Sequence, residues 1–120
     1  MKSLVLALLV VMVLGGCASL FPTEANYEKG LSGWVGKPGD ELIKSWGPPR
    51  NSYKLSDGET VIEYYESHLY TRDYSGFFSY NERIGVETLW CRTIFVIGKD
   101  GKVASWKHDG NDCVAYPQKE

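Results

Sequence analysis

Apolar positions along this chain fall into three regimes, and each predicts a different element. From Leu4 to Leu14 they are unbroken, eleven in a row behind Lys2. That is well short of the roughly 20 residues a helix needs to cross a bilayer core, so the run reads as the h-region of an export leader. From Glu24 the spacing becomes helical: Tyr27, Leu31 and Trp34 recur at intervals of four and three and share one face of a short helix, weakened by Gly30 and Gly33. A second helix is better punctuated. Pro38 stands near a first helical position, Asp40 and Glu41 complement the dipole in the first turn, Leu42, Ile43 and Trp46 form the apolar face, and Gly47-Pro48-Pro49 stops it.

Beyond the prolines the pattern shortens to that of strands. Tyr53 to Leu55 leads into Ser56-Asp57-Gly58, a hairpin signal, and Thr60 to Tyr65 is β-branched and aromatic. Cys91 to Ile97 alternates, with Cys91, Thr93, Phe95 and Ile97 on one face and Arg92, Ile94 and Val96 on the other. Asp100-Gly101 then turns the chain into Val103 to Lys107. Pairing about that turn sets Cys91 near His108, and Gly110 allows a bend that brings Cys113 back toward Cys91.

The segment from His68 to Glu87 has no clear period. Its Tyr70, Tyr74, Phe77, Phe78 and Tyr80 lie among Arg72, Asp73, Glu82 and Arg83. Two readings stay open: these aromatics extend the flanking strands and cover the sheet, or they form a partner-binding surface of the tyrosine- and arginine-rich kind.

The whole chain is 120 residues, which allows one modest domain after a leader and excludes a two-domain enzyme. A net charge of -2 argues against nucleic acid as a partner, since phosphate binding is driven by basic surfaces. The leader ends in Leu14-Gly15-Gly16-Cys17, which resembles the bacterial lipobox. That resemblance implies lipidation at Cys17, with acyl chains such as palmitate, and removal of residues 1–16. It further implies a tether over 17–23 and a single domain over 24–120. Two or three acyl chains anchor stably where one binds only marginally. With Ala18 as the second mature residue, the resemblance implies sorting to the outer membrane, on its periplasmic face. The competing reading is a soluble secreted protein.

With Cys17 lipidated, Cys91 and Cys113 remain as an even pair in an oxidising compartment, and a disulfide between them is the economical expectation. A catalytic thiol has no Cys-x-x-Cys partner to support it. His108, Asp109 and Asp112 near Cys113 match no closed zinc spacing, so no metal or cofactor is expected. Glu63 and Glu66, the nearest carboxylate pair, fall on opposite faces of a strand. With only His68 and His108 as histidines, no convergent acid-base site emerges and no catalytic residue is expected.

The order Gly36-Lys37-Pro38-Gly39-Asp40-Glu41-Leu42-Ile43-Lys44-Ser45-Trp46-Gly47-Pro48-Pro49, then Tyr64-Tyr65, then Phe95-Val96-Ile97 with Gly101-Lys102-Val103, resembles the SmpA/OmlA (BamE-like) family of small outer-membrane lipoproteins. The resemblance spans about residues 27 to 107. It implies an α+β fold, two short N-terminal helices packed on a small antiparallel sheet, here stapled by one disulfide. It also implies a non-enzymatic role: docking on another outer-membrane protein in support of envelope assembly or integrity. The alternative is a periplasmic inhibitor or ligand-binding module acting on an envelope enzyme.

Overall fold

The computed structural model describes residues 21–72 and 85–118. The leader, Cys17 and Ala18 lie outside the described residues, as do Tyr74, Phe77, Phe78 and Tyr80. Two short helices, α1 (Glu24–Ser32) and α2 (Gly39–Trp46), precede four strands: β1 (Asn51–Lys54), β2 (Thr60–Arg72), β3 (Gly85–Ile97) and β4 (Val103–Gly110). The strands form one antiparallel sheet in the order β1-β2-β3-β4, which makes the expected α+β class plain. None of the described helices is long and apolar enough to cross a membrane.

The chain divides into two compact units. One holds the described residues 21–30 and 114–118, the other 31–113. In the first, Thr23 caps α1: its hydroxyl accepts from the Asn26 N–H at 3.2 Å and its carbonyl from the Tyr27 N–H at 3.2 Å. Thr23 also exchanges two backbone hydrogen bonds with Ala115, at 2.9 and 3.1 Å.

In the second unit α2 packs on the sheet. Its Trp46 ring lies 5.1 Å from Tyr64 of β2 and 5.3 Å from Phe95 of β3, edge-on to the latter. Leu42, Ile62, Phe95 and Val103 are buried together with Leu31 and Thr93. Pro38 precedes the helix as its N-cap rather than entering it, and Gly47 ends it with φ 88°. The segment before α2 is laced to the β3–β4 hairpin. Gly36 N–H donates to the Val103 carbonyl at 2.8 Å, Val103 N–H to Lys37 at 2.9 Å, and Gly39 N–H to Gly101 at 2.8 Å. Gly39 fits closely at this crossing: a Cβ there would stand 2.5 Å from Ile97 Cδ1, 3.1 Å from Ile97 Cγ2 and 3.3 Å from the Gly101 carbonyl.

Three details differ from the sequence reading. Trp34 lies beyond the end of α1, in the turn where its N–H donates to the Leu31 carbonyl at 3.0 Å. β2 and β3 are much longer than their buried cores and pair without interruption from Thr60↔Ile97 to Arg72↔Gly85. The register of β3 with β4 is Cys91↔Gly110 and Thr93↔His108, not Cys91 beside His108. The hairpin closes over Gly98 to Lys102, through the Gly98 N–H bond to the Lys102 carbonyl at 2.8 Å, and a bulge beside Val96/Ile97 adds a further residue.

Cys91 and Cys113 are joined by a disulfide, as the cysteine count predicts. Gly110, at φ 142°, is the residue that permits it: a Cβ at this position would run into the Trp90 carbonyl oxygen, and no other residue allows so close an approach of the two backbones.

Candidate functional site

The register assigns the side chains of the sheet to two faces. Ile62 and Tyr64 of β2 share the α2-covered face with Thr93, Phe95 and Ile97 of β3. The other face carries Tyr53 of β1, Val61, Glu63, Tyr65 and Leu69 of β2, Trp90, Arg92, Ile94 and Val96 of β3, and Lys107 and Asp109 of β4. Within this unit neither α2 nor the loops before it lie on that second face. Tyr53 is 69% exposed there and Tyr65 is 37% exposed.

At its centre is an aromatic and cationic group. The Tyr65 and Trp90 rings stack with centroids 6.2 Å apart, and the Arg50 guanidinium carbon lies over the Tyr65 ring, 4.7 Å from its centroid. Toward β4, Arg92 donates to Asp109 Oδ2 at 3.1 Å across the ladder. A shallow cleft of about 220 Å³ lies between them, lined by Arg92, Ile94, Lys107, His108 and Asp109. On the β1 side the Asn51 amide donates to Glu63 Oε1 at 2.9 Å. The face is amphipathic: flat rings and aliphatic side chains in the middle, with charges of both signs at the margins. Chemically it can desolvate a partner's apolar side chains while the rim orients them.

Beyond this face the β2–β3 pair continues with no third strand among the described residues. β1 reaches only to Glu63 and β4 only to Cys91, so residues 66–72 with 85–90 form a two-stranded arm. Leu69, Val86 and Tyr70 are exposed on it. The candidate Tyr70 thus extends a strand and remains open to solvent, 49% exposed. His68 Nε2 lies 3.6 Å from Asp112 Oδ2 at the base of the arm. Glu63 and Glu66 occupy alternate faces of β2, opposite Ile94 and Cys91 respectively. His108 stacks on Trp106, with ring centroids 5.9 Å apart, while its neighbour Asp109 is engaged by Arg92.

The aromatics that the sequence offers for binding are Tyr70, on β2, and Tyr74, Phe77, Phe78 and Tyr80, outside the described residues; Tyr53, Tyr65 and Trp90 are not among them. The available signal was parity. Once Phe95 and Thr93 define the covered face, the strand alternation sends Arg92, and hence Tyr65 opposite it, to the other side. Comparisons with known protein families, with curated proteins and with solved structures find no match for this chain.

Proposed function

We propose that this protein is a lipid-anchored, non-enzymatic component of the cell envelope, of SmpA/OmlA type, that docks on another outer-membrane protein through the uncovered face of its sheet. The lipobox-like Leu14-Gly15-Gly16-Cys17 supports the anchor. The observation that carries the docking role is the group of Tyr53, Tyr65 and Trp90 with Arg50 and Arg92 on the face of the sheet opposite α2. Aromatic and arginine side chains set in this way are the residue types that dominate protein interfaces.

The test is site-specific photocrosslinking of the full-length protein in intact cells, with the crosslinker placed in turn at Tyr53, at Tyr65 and at Lys44 of α2. Discrete adducts to one envelope protein from Tyr53 and Tyr65, and none from Lys44, are expected. Adducts from Lys44 alone would refute the assigned face. Replacing Cys17 with serine should move the protein from the membrane to the soluble fraction, and its retention in the membrane would refute the anchor.

A second reading is favoured by the arm. A narrow two-stranded projection bearing Leu69, Tyr70 and Val86 suits insertion into a cleft, as in a periplasmic inhibitor or ligand-binding module. Inhibition of a wall hydrolase at micromolar concentration, lost on Leu69→Asp, would move this reading ahead.

A further inference from the structure

We infer that the compact unit of residues 21–30 and 114–118 seats its exposed apolar side chains, Phe21, Val114 and Tyr116, in the headgroup region of the bilayer that holds the lipid anchor. The inference rests on the lipidation of Cys17 proposed above, and adds to it a second membrane contact made by the folded chain. Phe21 is 69% exposed, Tyr116 65% and Val114 39%. None of the described residues of this unit is buried, so the unit offers these side chains no core of its own.

A single bridge gathers them. Thr23 and Ala115 exchange both backbone hydrogen bonds, as directly opposed antiparallel residues do, which sets their Cα atoms about 5.5 Å apart. Val114 and Tyr116 flank Ala115, and their Cα atoms therefore lie within about 10 Å of Thr23. Phe21 stands two residues before Thr23, on the stretch that leads back to Cys17. Three large apolar side chains from two distant parts of the sequence thus meet at the end of the unit nearest the anchor.

The length of chain selects the occupant. From Cys17 to Phe21 the sequence advances four residues, which span at most about 14 Å even when fully extended. Acyl chains on Cys17 would hold that residue at the membrane surface. A small domain is about 30 Å across, so no folded partner fits between this end of the unit and the bilayer. The surface that Phe21 meets is therefore lipid. The side chains suit it: tyrosine has an apolar ring with a polar tip and collects at membrane–water interfaces, and phenylalanine and valine gain by leaving water. Charge does not supply the attraction, since the charged residues among those described in this unit are Glu24, Glu28 and Lys29, one cation against two anions. Glu24 and Glu28, exposed and four residues apart, share a face of α1 that stays in water.

The experiment uses the full-length lipidated protein in phosphatidylcholine vesicles. With Cys17 acylated and Cys91 bonded to Cys113, a cysteine introduced at one position is the thiol that takes a bimane label. A phosphatidylcholine carrying a nitroxide high on its acyl chain quenches labels that lie in the interface. At Tyr116→Cys and at Val114→Cys the label should lose about half its emission or more, as for a group seated roughly 5–10 Å into the headgroup boundary. At Glu28→Cys it should change little. Flotation tests the anchor separately: the native protein should float with the vesicles and Cys17→Ser should not. A protein that floats while its labels at 114 and 116 stay bright overturns the inference and leaves the anchor standing. Equal quenching at 28 and 116, or a discrete protein adduct from a photocrosslinker at Tyr116 in intact cells, overturns it as well. Native protein that fails to float removes the anchor and the inference together.

Discussion

The side-chain amide of Asn111 stands beside Trp90 in the place a peptide group of a neighbouring strand would take. Its Oδ1 accepts from the Trp90 N–H at 2.8 Å and its Nδ2 donates to the Thr88 carbonyl at 3.0 Å, while the Asn111 N–H returns to the Trp90 carbonyl at 3.1 Å. One residue thus continues the β3 ladder past the end of β4, at the root of the arm. Asn111→Ala removes both side-chain bonds and should cost about 1–2 kcal/mol at this exposed site. It should also speed amide exchange at Trp90. Exchange unchanged at Trp90 would show that the carboxamide contributes nothing to the ladder.

Tyr64 joins α2 to the sheet through its hydroxyl, which donates to the Gly47 carbonyl at 2.9 Å. Burial raises its pKa above the ordinary phenol value of 10.0. The folded state therefore holds this proton more tightly than the unfolded chain does. The resulting stability is fully present below about pH 10 and is lost as pH rises through the folded-state value. Urea unfolding from pH 9 upward should show a steeper decline for the native sequence than for Tyr64→Phe. The same variant at neutral pH should be less stable by about 1 kcal/mol, because Gly47 loses its donor.

Two glycines in helices should respond in opposite directions. At Gly39 a methyl group meets Ile97 and the Gly101 carbonyl, so Gly39→Ala should destabilise by about 1–3 kcal/mol. At Gly30, inside α1, nothing lies within 4 Å of the added carbon, and Gly30→Ala should stabilise by about 0.5–1 kcal/mol. Thermal melting of the two variants side by side decides it. A shift in the same direction for both would contradict the packing described.

The disulfide closes a loop with a sequence separation of 22. On the chain-entropy account, replacing both Cys91 and Cys113 by alanine should cost about 3 kcal/mol. Urea midpoints with and without reductant should differ for the native sequence and coincide for the double variant.

These residues also show which parts of the fold the sequence discloses. α2 is legible because its signals are local: the acidic first turn, the apolar face of Leu42, Ile43 and Trp46, and the Gly-Pro-Pro exit all lie within a dozen residues. The disulfide is legible once the lipobox-like context sets Cys17 aside, because Cys91 and Cys113 are then the two cysteines that remain. The full length of β2 is not, because a strand is read from one buried and one exposed face, and from Glu66 to Thr71 every residue is exposed. The β3–β4 register missed by two positions because both the loop and the bulge are set by backbone hydrogen bonds, with no side-chain period to announce them. The uncovered aromatic face was hidden for a related reason. Tyr65 and Trp90 lie far apart in the chain, and only the β2–β3 register brings their rings together.

Because each strand pairs with the one that precedes it in the chain, the sheet can grow in the order in which the segments emerge, N-terminus first. β2 finds β1 already made, β3 finds β2, and β4 finds β3, so no early strand waits exposed for a late one. Such a meander has low contact order and favours quick assembly. Cys113 is the last of these parts to arrive, after β4 has been laid against β3 and Gly110 has turned the chain. Oxidation then seals a sheet whose alignment is already chosen, and a misaligned β4 would leave the second thiol out of reach.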